Sequence, residues 1–112
     1  MAFEQFDVVV VPFPFTDSPT TKRRPAVVLS RPGSVAPGRT VLAMITSCSA
    51  ETWPNDVNVQ NRESAGLTVP CRIRLKVFTL DEEQILRRLG RLSGTDVSAL
   101  QNALKVVFGL SS

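Results

Sequence analysis

Not one histidine occurs in the 112 residues. The side chain that most often moves protons near neutral pH, and most often binds metal, is therefore missing. Chemistry falls to arginines, lysines, carboxylates, hydroxyls and two thiols, Cys48 and Cys71, which form neither a CxxC metal spacing nor a disulfide framework. The cations gather in three places: Lys22, Arg23 and Arg24; Arg72, Arg74 and Lys76; Arg87, Arg88 and Arg91. A guanidinium is a planar fork that grips two phosphate oxygens and stays charged at every relevant pH. The net charge of +3 permits a nucleic-acid partner without requiring one.

These residues need elements to hold them. Residues 7–11 contain four valines in a row and stop at Pro12, as a buried strand would. Pro12, Pro14, Asp17, Ser18 and Pro19 then make a loop. Residues 26–29 form a second strand led by Pro25, 31–39 a turn, and 40–46 an almost wholly apolar central strand. After a polar loop over 47–55 comes a short alternating strand at 56–59, then a turn over 60–66. In 71–77, Cys71, Ile73, Leu75 and Val77 alternate with Arg72, Arg74 and Lys76, so a period of two puts three cations on one face. Asp81 can cap a short helix, and Gly90 ends or kinks that segment, with Arg91-Leu92 readable as strand. Ser93 or Thr95 opens the last helix, where Val97, Leu100, Leu104, Val107 and Phe108 recur at helical spacing before Gly109. That stripe is core or a docking face. The sum is one mainly-β domain over 1–112, a barrel closed to hide its edges, with short helices and an amphipathic C-terminal helix.

Two stretches together resemble the opening of the PemK/MazF-like toxins: Asp7-Val8-Val9-Val10-Val11-Pro12-Phe13-Pro14-Phe15-Thr16-Asp17 and Lys22-Arg23-Arg24-Pro25-Ala26-Val27-Val28-Leu29-Ser30. Ala43-Met44-Ile45-Thr46-Ser47 is similar to that family's third strand. Arg72-Ile73-Arg74-Leu75, Thr79-Leu80-Asp81 and Leu89-Gly90-Arg91-Leu92 are similar to its later strand and helix entry, and Phe108-Gly109-Leu110 matches its end. Two positions depart: Phe6 stands where the family commonly has glycine, and Lys76 where some members carry a carboxylate.

The resemblance implies an SH3-like barrel, usually a homodimer, that cuts single-stranded RNA without metal or cofactor and is silenced by a cognate antitoxin. The 2′-hydroxyl distinguishes RNA from DNA. Without metal or histidine it must attack the adjacent phosphorus, leaving a 2′,3′-cyclic phosphate and a 5′-hydroxyl. Arg24 is assigned to the developing phosphoryl charge and to protonation of the departing oxygen, Thr46 to a phosphoryl oxygen with help from Ser47, and Arg74 to a catalytic or phosphate role. Lys22, Arg23, Arg72 and Lys76 are expected to hold backbone phosphates. Phe13, Phe15 and Trp53 can stack unpaired bases, Phe15 being better explained by packing. Asp17 and Glu51 are the loop carboxylates within conceivable reach as general base, and neither is chosen.

Two other readings fit the same residues: a non-catalytic SH3-like nucleic-acid-binding module, and a barrel whose task is to hold an antitoxin. The sequence shows no signal peptide and no apolar run long enough to span a bilayer, so a cytoplasmic protein with reduced thiols and no membrane contact is expected.

Overall fold

The computed structural model describes residues 3–13 and 22–110, with Phe13 by its backbone alone. Six strands run in chain order as β1 (Asp7–Phe13), β2 (Lys22–Val28), β3 (Arg39–Ser47), β4 (Val57–Asn58), β5 (Cys71–Asp81) and β6 (Arg87–Arg91). Two helices accompany them, α1 (Arg62–Ala65) and α2 (Gly94–Phe108), with one 3₁₀ turn at Glu82–Gln84. The strands form one sheet in the order β4-β5-β3-β2-β1-β6, antiparallel throughout.

Val8 and Val9 both have no exposed surface, although successive strand residues point to opposite faces. The sheet is therefore covered on both sides, which is why β1 reads as a run of valines rather than an alternation. On the first face Val8, Val27, Ala43, Ile45, Ile73 and Cys71 pack with Ala65 of α1 and with Leu100 and Ala103 of α2. On the second, Val9, Val11, Ala26, Val28, Leu42 and Phe78 pack with Ile85, and Phe3, Met44 and Leu80 join them.

The expected barrel is present as a half-barrel: β4 and β6 are the two ends of the sheet and do not pair. Short length protects one edge, since β4 is two residues long. At the other edge β6 carries Arg87, Arg88 and Arg91, whose charge discourages strand addition. Arg88 and Arg91 reach back to the buried Asp7, at 3.2 and 3.9 Å.

Both prolines expected to bound strands lie inside them. Pro12 is in β1 and Pro25 in β2, paired with Arg23 and Val10 respectively. Each sits where its strand has a described partner on one side only. The β1·β6 ladder covers Asp7 to Val10, and the β2·β3 ladder begins at Ala26. A missing N–H costs nothing where no neighbour would accept it.

The 60–66 turn contains α1, capped by the Asn61 side chain accepting from the Ser64 N–H and closed by Gly66 at φ +72°. Gly90 neither ends nor kinks a helix. It lies in β6 because α1 rides directly on it: a Cβ there would meet the Ser64 carbonyl oxygen at 2.4 Å. Asp81 precedes the 3₁₀ turn without capping it, its carboxylate being ion-paired with Arg39 instead. Ser93 caps α2, its hydroxyl accepting from the Asp96 N–H, and Gly109 ends it in the left-handed conformation. Of the α2 stripe, Leu100 is buried and Val97 and Leu104 are half-buried, while Val107 and Phe108 are exposed. The stripe is core in its first three turns and surface in its last.

Phe6 has φ +70°, in the region that favours glycine. The turn before β1 demands it: the Phe6 N–H donates to the Val28 carbonyl at 2.7 Å and its own carbonyl accepts from Leu92 at 3.1 Å.

Candidate active site

The ladder between β2 and β3 pairs Ala26 with Met44, Val27 with Ala43 and Val28 with Leu42, then stops. Counting on in the same register puts Arg24 opposite Thr46. Both project on the second face, as do Ala26 and Met44, two residues nearer the core. β3 remains paired to β5 as far as Ser47–Cys71, through a bulge between Ala43 and Met44. β2 remains paired to β1 as far as Lys22. The sheet therefore divides at Ala26/Met44, with Arg24 on one branch and Thr46 on the other.

Arg24 is half-buried, and its Nε is enclosed without a hydrogen-bond partner among the described residues. A buried, unpaired donor on a charged group costs free energy, so an acceptor brought to it would be favoured. Thr46 is 7% exposed and therefore buried. Thr46 pairs with Arg72, whose Nη1 donates to the Ala50 carbonyl at 2.9 Å, drawing the following loop back against this end of the sheet. Ser47 is half-buried and shares a 2.7 Å hydrogen bond with Ser49.

Arg74 is neither solvated nor open to solvent-borne phosphate. It is 7% exposed and ion-paired with Asp56 at 2.9 Å, with its Nε donating to the other carboxylate oxygen at 3.3 Å. Its Nη2 also donates to the Glu51 carbonyl, and its guanidinium lies 4.5 Å from the centre of the Trp53 ring. Of the cations on β5, Arg72 and Arg74 thus bind their own 50–56 loop. Lys22 and Arg23 are exposed on β2, and Lys76 is half-buried with an interaction of its own. Asp17 and Phe15 lie outside the described residues, as does the side chain of Phe13.

Asp56 is the residue the sequence reading missed, having been placed in a strand. Its carboxylate accepts from the Trp53 N–H at 2.8 Å while its own N–H donates to the Trp53 carbonyl at 3.2 Å. Burial alone would push its carboxyl up. The hydrogen bonds from Arg74 and the Trp53 backbone, with the charges of Arg74 and Arg72, outweigh that and hold it below the usual carboxylate range. The available signal was the Trp53-x-x-Asp56 spacing, in which an aspartate can close a loop on a backbone N–H three residues earlier.

The Cys71 thiol is a poor nucleophile here. Burial and the neighbouring Cys48 push the Cys71 thiol up, against a smaller opposing pull from Arg62, and its Sγ lies 3.2 Å from the Val69 carbonyl. Among the described residues no group of three or more Cys, Asp or Glu is placed to hold a metal ion. No helix there is long and apolar enough to cross a membrane.

Residues 4–108 match the model of a family described as PemK-like, MazF-like toxin of type II toxin–antitoxin system. The chain is 31% identical over 106 residues to Endoribonuclease MazF9 of Mycobacterium tuberculosis, covering 88% of this chain and 89% of that protein. Its fold superposes on an endoribonuclease solved in complex with its cognate antitoxin from a mycobacterial species, with TM-score 0.76 and 15% identity over 99% of both chains. It also superposes on the Mycobacterium tuberculosis toxin MazF-mt6, with TM-score 0.72 and 19% identity over 95% of this chain and 99% of the other. A MazE–MazF structure from Deinococcus radiodurans gives TM-score 0.73 and 19% identity, covering 99% of each chain.

Proposed function

The chain belongs to the family of PemK-like, MazF-like toxins of type II toxin–antitoxin systems, and on that premise we propose that it is an endoribonuclease whose cut is made where β2 and β3 part. The observation that carries the reading is the enclosed Nε of Arg24, unpartnered among the described residues, on the face and at the register that also bring Thr46 to the gap.

In this reading a phosphodiester of single-stranded RNA enters the gap and its oxygens complete the Arg24 donor set. The 2′-oxygen forms a bond to phosphorus and the bond to the 5′-oxygen breaks, giving a 2′,3′-cyclic phosphate and a 5′-hydroxyl. The proton on the 2′-hydroxyl leaves to solvent or a loop carboxylate such as the exposed Glu51. Arg24 meets the extra charge on the phosphoryl oxygens and supplies a proton to the leaving oxygen. The Thr46 hydroxyl donates to a second oxygen. Preorganised donors of this kind are typically worth about 2.7–4 kcal/mol each. Lys22, Arg23, Arg72 and Lys76, with Ser47, lie along the flanking backbone. Arg74 acts from behind, through the loop it holds. No step calls on a metal.

The exposed apolar end of α2, where Val106, Phe108 and Leu110 are each more than half exposed, offers surface for a protein partner. We assign it to protein–protein contact, within a homodimer silenced by a cognate antitoxin in the cytoplasm.

The test is incubation of the purified chain with a long RNA in EDTA, mapping break sites and end chemistry. Breaks carrying 2′,3′-cyclic phosphate that vanish in Arg24→Ala and Thr46→Ala are expected. Salt-sensitive RNA binding with no cleavage would favour a binding module, and salt-insensitive weak binding an antitoxin-holding barrel.

A further inference from the structure

An exposed tryptophan with a buried arginine fixed behind it is an unusual use of both residues. Trp53 is 43% exposed, although burying so large a ring is among the most favourable things a fold can do with it. Arg74 is almost wholly buried, although taking a guanidinium out of water is costly even when a carboxylate repays it. Together they make a rigid object. Asp56 holds Arg74 through both oxygens and holds the Trp53 N–H as well. The Glu51 carbonyl accepts from the same guanidinium, Asn55 turns the loop at φ +67°, and Arg72 fastens Ala50. One face of the ring is occupied by the guanidinium while the residue as a whole stays open to solvent.

We propose that Trp53 is a one-sided stacking platform for an unpaired base of the RNA, adjacent to the phosphate at Arg24 and Thr46, and that Asp56 and Arg74 are the positioning residues that hold its ring. The position in the ladder supports this. Arg74 pairs with Met44 and Arg72 with Thr46, so Arg74 and Thr46 are diagonal neighbours on the second face. Such neighbours lie about 7–8 Å apart, close enough for a base next to the scissile phosphate. A cation behind the ring draws electron density from its far side, making the open face a better partner for an electron-rich base. The larger overlap of a purine adds to this, so the platform prefers purines. The inference rests on the nuclease reading for its geometry but not for its test.

Trp53 is the only tryptophan, and the chain has no tyrosine, so intrinsic fluorescence reports this residue alone. Single-stranded oligodeoxynucleotides lack the 2′-hydroxyl and bind without being cut. Titration with oligo-dA should quench Trp53 to saturation, with oligo-dT requiring higher concentrations. Trp53→Ala should weaken binding of an end-labelled oligo-dA by between about 5- and 150-fold, and Trp53→Phe should restore most of it. Arg74→Lys keeps the charge and loses the fork. It should weaken binding toward the Trp53→Ala level, and the double variant should bind no worse than Trp53→Ala alone, because both changes remove one platform. If Arg74→Lys does not fold, Asp56→Asn takes its place in the cycle.

Saturated oligonucleotide binding that leaves Trp53 fluorescence unchanged, or unaltered affinity in Trp53→Ala, overturns the proposal. Additive losses in the double variant overturn the positioning role. Quenching in a protein that never cuts RNA would sink the nuclease reading and leave the platform standing. Cleavage with a silent Trp53 would do the reverse.

Discussion

Replacing Arg24 by methionine should make the protein no less stable and nearly inactive, and the opposed signs follow from one atom. Methionine keeps the apolar stem of the arginine side chain but carries no N–H and no charge. In the wild type the Nε is enclosed and has no hydrogen-bond partner among the described residues. A buried polar group left unpaired costs about 1–3 kcal/mol. Removing it returns that amount, less whatever packing the rest of the guanidinium provides, for a net gain of about 1 kcal/mol. In a chain of 112 residues this raises Tm by about 4 °C. Activity moves the other way: losing a preorganised donor of about 2.7–4 kcal/mol lowers kcat by about 10²–10³. Calorimetry and initial cleavage rates on one RNA measure the two effects. A ligand control sharpens them. At 100 times its Kd an uncleavable oligonucleotide stabilises the native state by about 2.7 kcal/mol, and its effect on Tm should shrink in Arg24→Met. A methionine variant that loses more than about 1 kcal/mol of stability would show Arg24 to be structural. One that still cuts near the wild-type rate would remove it from the chemistry.

Three further outcomes follow from particular contacts. Phe6 stands at φ +70°, where a side chain costs about 1–2 kcal/mol relative to glycine, so Phe6→Gly should be more stable than Phe6→Ala by about 1 kcal/mol in denaturant melts, reversing the usual order. Asp96 is fully buried and accepts from the Gln60 and Asn61 N–H groups with its two oxygens. Asp96→Asn leaves one of those donors unpaired and should cost about 2 kcal/mol with cleavage at low temperature unchanged. Asp56 is held below the ordinary carboxylate range in the fold, so its contribution is complete above about pH 4 and fades as the pH falls through its lowered value. The stability gap between wild type and Asp56→Asn should therefore narrow in acid, and a gap independent of pH would mean that Asp56 is not ionised in its pair with Arg74.

Features set by local pattern were legible in the sequence. The valine run, the alternation through Arg72, Ile73 and Arg74, the Ser93 cap and the Gly109 stop each depend on neighbours a few residues away. What escaped depends on distant residues. Whether Pro12 and Pro25 end a strand or lie within it turns on where β6 and β3 stop pairing, which no local window records. Gly90 looked like a helix breaker because its reason, the backbone of α1 resting on β6, is set from more than twenty residues away. At the candidate site Arg24 and Thr46 could be named, but neither the burial of Thr46 nor the tie from Arg72 to the following loop is visible in a local window. Arg74 looked like part of a cationic stripe facing solvent because its counter-charge comes from Asp56, 18 positions earlier. A period of two tells which face a cation takes and says nothing about what waits there.

In the proposed reading, the place where the sheet divides is where the fold gains its chemistry. Had β2 and β3 remained paired to their ends, Arg24 and Thr46 would be cross-strand neighbours a few ångströms apart, filling the space an incoming phosphate needs. The bulge at Ala43/Met44 and the proline at position 25 both fall beside the point where the ladder stops. Beyond it β3 follows β5 and β2 follows β1. The gap opens with Arg24 on one branch and, on the other, Thr46 next to the loop that carries Trp53. Val27 of β2 and Ile45 of β3 share one core cluster and Val28 of β2 lies in the other, so the strands that lead into the gap are held by packing. Neither anchor involves Arg24 or Thr46. For that reason changes at Arg24 should alter rate far more than shape.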